Sequence, residues 1–172
     1  RAVDAVKAAG TVVQVGTQLR SLPSIAGARE VVQAGKIGKL SRVEECRNDE
    51  KPYWYSYLGR DVKAEDVDWQ EFLGDRPKRP FNAEMYSAWY GHYEFCQGPI
   101  PQWGAHFLDM ARFITGCSLP ASCVCTGGIF TWKDEHRFTT PDCIQATWIY
   151  PEGFLLTSSN NLGNGFGNSR KF

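Results

Sequence analysis

The sequence predicts a mixed α and β fold, and three observations carry that prediction. The opening residues run at helical spacing through Val3, Val6 and Lys7, stop at Gly10, and pass at once into the β-branched run at 11–15. Two longer stretches, near 23–34 and 103–115, repeat apolar residues at helical spacing, and each is followed by a glycine. The last third holds strand-like runs at 122–131, 143–150 and 153–159, the final two joined by Pro151 and Glu152 as a tight hairpin turn.

A helix feeding a strand cannot bury its faces alone. With Arg1 rather than Met at the front, the opening unit predicts the tail of a larger α/β domain. The second helix places Ile25, Ala28, Val31 and Val32 on one face, with Pro23 near its start and Gly35 past its end as matched signals. The stretch 39–47 then alternates Leu40, Val43 and Cys46 against charged neighbours, which predicts a strand with one wet face. Residues 50–101 are irregular and rich in Pro and Gly, with short helices expected around 69–73 and 83–96. Of the 23 aromatic residues, 12 fall between Tyr53 and Phe95, so this quarter of the chain predicts either a packed lid or a ligand-facing platform. The helix at 103–115 gathers Trp103, Phe107, Met110, Ala111 and Ile114 on one face and ends at Gly116. Beyond the last strand, 160–169 has no apolar period.

Composition narrows the function classes. The chain has 172 residues, 42% hydrophobic and 22% charged, with 19 Lys and Arg against 19 Asp and Glu. Zero net charge lacks the basic footprint of a nucleic-acid binder or a membrane-surface protein, and no apolar run approaches the 18 residues of a membrane span. No charged segment with an apolar stretch behind it marks a signal peptide at the front. The six cysteines form no C-x-x-C pair, and no N-x-S/T sequon occurs, so reduced thiols in a cytoplasm are expected.

Motifs for chemistry are sparse. Gly163, Gly165 and Gly167 miss the spacing and the strand–helix context of a dinucleotide fingerprint, and predict a flexible loop. His92, His106 and His136, with carboxylates such as Asp109, follow no metal-ligand register, so no metal is expected. The informative segment is 98–109. There His106 is expected in a first helical turn, off the apolar face, where the helix dipole disfavours the imidazolium and keeps a proton acceptor. Asp109, three residues on, either holds the ring or anchors the helix. From spacing alone, a structural histidine and a general base both stand.

At these residues the sequence resembles the glucose-fructose oxidoreductase and inositol dehydrogenase (Gfo/Idh/MocA) family. The resemblance spans the chain: Val15-Gly-Thr-Gln-Leu-Arg-Ser21, the helix ending Gly35-Lys-Ile-Gly38, Val67-Asp-Trp69 with Phe72-Leu-Gly74, Trp89, and Gly104-Ala-His106 with Asp109. It implies an open, predominantly antiparallel mixed β-sheet with helices on one face. It also implies that residues 1–20 are the last helix and strand of a Rossmann domain, and 21–172 a substrate-binding and oligomerisation domain. The implied activity is NAD(P)-dependent oxidation of a CH–OH group of a sugar, cyclitol or glycoside, with the main dinucleotide-binding part before Arg1 and the chain alone inactive.

By the same resemblance His106 is the catalytic proton acceptor, and Arg20, Tyr86, Trp89, Tyr90 and Gln102 contact the substrate. Gln18 and Trp69 contact the nicotinamide cofactor, NAD or NADP. Packing is an equal account of Tyr86, Trp89 and Tyr90. A homo-oligomer through the open sheet face is implied, with the strands of 122–159 supplying it. Three departures from the family pattern stand out. Gln102 replaces a frequent Asp four residues before the histidine and cannot take a proton. Tyr90 follows the family tryptophan where Arg is frequent, and Glu50-Lys51-Pro52 is a lookalike of the family's Glu-Lys-Pro, whose lysine lies upstream. Two other functions fit the resemblance: transient oxidation for glycoside cleavage or elimination, and a non-catalytic sugar-binding or dimerisation module.

Overall fold

The computed structural model describes residues 2–163. Two of the three glycines of the predicted loop, Gly165 and Gly167, lie outside them. The chain runs α1 (Ala2–Ala9), α2 (Pro23–Gln33), β1 (Arg42–Asn48), α3 (Trp69–Leu73), α4 (Ala83–Ser87), α5 (Tyr93–Cys96), α6 (Pro99–Thr115), β2 (Ser122–Gly128), β3 (Cys143–Tyr150) and β4 (Phe154–Asn161). Single 3-10 turns at Tyr53–Tyr57, Ala64–Asp66 and Trp89–Gly91 punctuate the irregular middle.

The four strands form one open sheet in the order β1-β4-β3-β2. β4 pairs antiparallel with β3, β3 antiparallel with β2, and β1 lies parallel to β4. This is the mixed, mainly antiparallel sheet expected. Helix α6 covers one face, where Ala111 and Cys117 pack with Ala146, Trp148, Tyr150, Phe154 and Leu156, and α2 packs on α6. The side chain of Gln33 at the end of α2 donates to the free carbonyls of Phe113 and Ile114 near the end of α6. A second core gathers Trp54, Tyr55, Ala88, Phe138 and Leu162, with Tyr53, Tyr57, Tyr90 and Trp132 packed against it. Much of the aromatic middle therefore buries itself.

Several boundaries and faces differ from expectation. The run at 11–15 carries no ladder: no strand lies beside it among the described residues, and Val12, Val13 and Val15 are exposed. The expected helix at 83–96 breaks into α4, a 3-10 turn and α5. In β1, Cys46 pairs across from Ser159 and points away from Val43; the helix-side face carries Val43, Glu45 and Arg47, so two charged residues point inward. β2 stops at Gly128 rather than at 131 because the next N–H groups leave the ladder. Those of Phe130, Thr131 and Trp132 donate instead to the buried carboxylate of Asp142, at 2.8–2.9 Å. The β3–β4 turn has three residues, not two: Tyr150 pairs with Phe154 and Gly153 takes φ +85, the left-handed place such loops reserve for glycine.

Candidate functional site

Helix α6 begins earlier than its apolar period. Gly98, at φ +92, turns the chain into the helix, and Pro99 occupies a first-turn position that needs no N–H. Gly116 closes the other end in the left-handed conformation, its N–H on the carbonyl of Arg112. His106 is consequently the eighth residue of the helix, two turns in and not in the first. The helix dipole falls off within one turn, so the electrostatic reason expected for His106 does not apply.

His106 is half-buried and faces a cavity of about 390 Å³. The walls are α6, with Trp103, Phe107 and Met110, then the inward face of β1 with β4, and the segment before α2 through Gln18 and Leu19. Among the described residues no side chain hydrogen-bonds the His106 ring; the ring lies 6.1 Å from that of Trp103 between centroids. Asp109 does not hold the ring. Its carboxylate takes both a 2.6 Å bond from Arg20 Nε and a second from Arg20 Nη2, so Asp109 anchors the helix.

The floor of the cavity is polar. Arg47, 7% exposed, lays its guanidinium 3.7 Å over the Trp103 ring and donates from Nε to Asp49 at 2.6 Å, while its Nη1 is buried without a partner among the described residues. Glu45 accepts from the Ser158 hydroxyl, and burial pushes its carboxyl above the ordinary value against the pull of that bond and of Arg47. Tyr53 bridges outward: its hydroxyl donates to Gln102 Oε1, and its ring meets Tyr90 and Trp103 edge-on at 5.3 and 5.8 Å. Burial raises the Tyr53 phenol pKa, so it stays a donor.

The expected site residues thus separate into four places. His106 and Gln18 both line the cavity; Gln102, one turn before His106, lies beside it and accepts from Tyr53, whose ring meets Tyr90, which stacks on Trp89 at 3.8 Å. Arg20 stands apart, bound to Asp109. Trp69 and Tyr86 lie in another aromatic cluster around Phe72. There Trp69 is buried, its N–H held by the carbonyl of Arg79 at 2.7 Å, which leaves neither donor nor open ring for a cofactor. His92 is buried against Phe95 and Phe138, and His136 pairs with Glu84 at 3.0 Å. Among the described residues no three His, Cys, Asp or Glu side chains converge.

Sequence reasoning missed Glu45, Arg47 and Tyr53. Charged residues on a strand read as its wet face, and only the packing of Val43 on the core shows that the face it shares with Glu45 and Arg47 is the inward one. The parity of 43, 45 and 47 was the available signal.

No family model and no curated protein matches the sequence. Solved structures do match its fold. The WlbA dehydrogenase of Bordetella pertussis, solved with NADH and UDP-GlcNAcA, superposes at a TM-score of 0.66 with 15% identity, over 96% of this chain and 41% of that one. An aldose-aldose oxidoreductase of Caulobacter crescentus complexed with glycerol gives 0.59 and 18%, over 94% and 38%. An oxidoreductase of Agrobacterium radiobacter with NAD+, L-tartaric acid and magnesium gives 0.59 and 17%, over 96% and 37%. The chain spans about two fifths of the length of these structures. Its fold is that of a part of Gfo/Idh/MocA-type dehydrogenases. No helix among the described residues is long and apolar enough to cross a membrane.

Proposed function

We propose that this chain is the substrate-binding part of an NAD(P)-dependent oxidoreductase acting on a CH–OH group of a sugar, cyclitol or glycoside. The observation that carries the reading is that His106 and Gln18 line one cavity, the His106 ring held by no side-chain hydrogen bond among the described residues, on a fold shared with dehydrogenases.

Oxidising a carbinol removes a hydride from carbon and a proton from oxygen. A bound nicotinamide supplies the hydride acceptor. The chain's own residues then have three tasks. His106 takes the hydroxyl proton as the C=O bond forms, and it needs to stand within about 3 Å of that oxygen. Gln102 orients the same oxygen by hydrogen bonding and cannot compete for the proton. Trp89 and Tyr90, stacked and half-buried, offer an aromatic face for the apolar C–H side of a sugar ring.

Gln18 fits a cofactor contact, being exposed at the cavity edge; Trp69, packed and hydrogen-bonded, does not. The rest of the dinucleotide falls to residues outside this chain. Joined to that part, the His106→Ala variant loses roughly 10²–10⁴ in kcat, measured as reduction of NAD or NADP against a panel of sugars and cyclitols. Turnover equal to the parent enzyme would remove His106 from the reaction.

A further inference from the structure

We infer that Arg20 and Asp109 are a positioning pair, which pins the segment carrying Gln18 to the helix carrying His106 and so sets the gap across the cavity. The inference rests on the reading of His106 and Gln18 given above.

Three observations carry it. First, the contact is a two-pronged fork: Arg20 Nε donates to Oδ2 of Asp109 at 2.6 Å and Nη2 donates to Oδ1. Both carboxylate oxygens are engaged. A guanidinium holds a carboxylate in this plane as an ammonium cannot. The Arg20 head also lies 5.3 Å from the centroid of the Phe113 ring, one turn further along α6, which fixes it in a second direction.

Second, the segment has little else to hold it. Its backbone hydrogen bonds are local, from Thr17 to Val15 and from Leu22 to Leu19. Helix α1 before it buries no residue.

Third, Leu19 takes φ +77, a left-handed conformation that costs a leucine of order 1 kcal/mol or more and persists only where the surroundings impose it. Leu19 lines the cavity, whereas Arg20 faces the groove between α2 and α6. The pair closes one end of that strained turn. On α6 it grips Asp109, three residues after His106 and on a neighbouring turn of the helix.

A substrate ligand and a positioning residue fail differently. Hydrogen exchange of the 172-residue chain tests the tie itself. Arg20→Lys, which keeps charge and loses the fork, and Asp109→Asn each raise exchange at the hydrogen-bonded amides of the 17–22 segment, Thr17 and Leu22, roughly tenfold, with the amides of 107–114 unchanged. The reversed pair, Arg20→Asp with Asp109→Arg, recovers at least half of the lost protection. Unaltered exchange at 17–22, or equal loss of protection along α6, overturns the inference. In the enzyme joined to its dinucleotide-binding part, Arg20→Lys lowers kcat about tenfold and leaves KM within about twofold, and the reversed pair regains activity. A raised KM that the reversed pair does not repair makes Arg20 a substrate ligand and also overturns it. Absence of any sugar oxidation by the parent enzyme removes the functional reading alone, since the exchange measurements still decide whether the pair holds the segment.

Discussion

His92, buried, and Glu45, half-buried, are two titratable groups whose effects on stability run in opposite directions. Burial holds the His92 imidazole below its ordinary value, against the pull of Glu94 and Glu84, and its Nε2 has no partner among the described residues. An unfolded chain therefore binds that proton first. The stability contribution is complete above about pH 6.5 and is lost as the pH falls below it. Glu45 is the reverse case: its carboxyl is raised, chiefly by burial, so its contribution is present below about pH 4.5 and is lost as the pH rises through the folded value. Between pH 7.5 and 5.5 the first effect lowers stability while the second does not. Urea midpoints at those two values should fall with acid in the parent chain, and His92→Gln should remove most of the fall. An undiminished fall in that variant would place the acid sensitivity elsewhere. Neither group was legible as buried: a histidine beside tyrosine and glutamate reads as surface, and Glu45 belongs to a strand whose inward face only its neighbour defines.

At the scale of elements, the chain announces its stops more clearly than its starts. Gly35, at φ +70, and Gly116, at φ +73, end α2 and α6 where the sequence places them, because a left-handed residue is a local requirement that glycine meets. The start of α6 was displaced by four residues, since its first turn holds two prolines and Gln102, which accepts from Tyr53, and only Ile100 there packs on the sheet core, so no apolar period shows. The end of β2 was displaced for a similar reason. Its successor residues are held by Asp142, whose carboxylate accepts from Phe130, Thr131 and Trp132 and is 2% exposed. This hook lies ten to twelve residues away in sequence and leaves no periodic trace. It makes a strong prediction: Asp142→Ala strands three N–H groups near the second core and should cost about 3 kcal/mol, read from denaturant midpoints. Asp142→Asn, which keeps an acceptor, should cost less. Equal losses would mean that charge, and not the acceptor geometry, holds the loop.

Across the whole molecule, the open face of the sheet poses the remaining physical problem. Leu155 pairs across from Ile149, and Val124 lies diagonally beyond, so three apolar side chains, 40%, 52% and 69% exposed, cross that face in one line. Around them the face is polar but nearly uncharged, with Thr147, Thr157, Gln145 and Ser159, and the pair Arg42–Glu44 only at the β1 edge. A second copy meeting it about a two-fold axis brings like against like with little charge repulsion. Size limits the outcome. Four strands at about 4.8 Å spacing and about 25 Å length give a face of roughly 500 Å², below the ~800 Å² per partner of a standard interface. Association of this chain should therefore be weak and concentration-dependent, with a dissociation constant in the micromolar range or above, as measured by sedimentation equilibrium. Ile149→Lys, at a side chain already half in solvent, should abolish it while shifting Tm by no more than a few degrees. A parent chain that stays monomeric at the highest concentration, or a variant that associates equally well, would mean that the open face is covered by something other than its own copy.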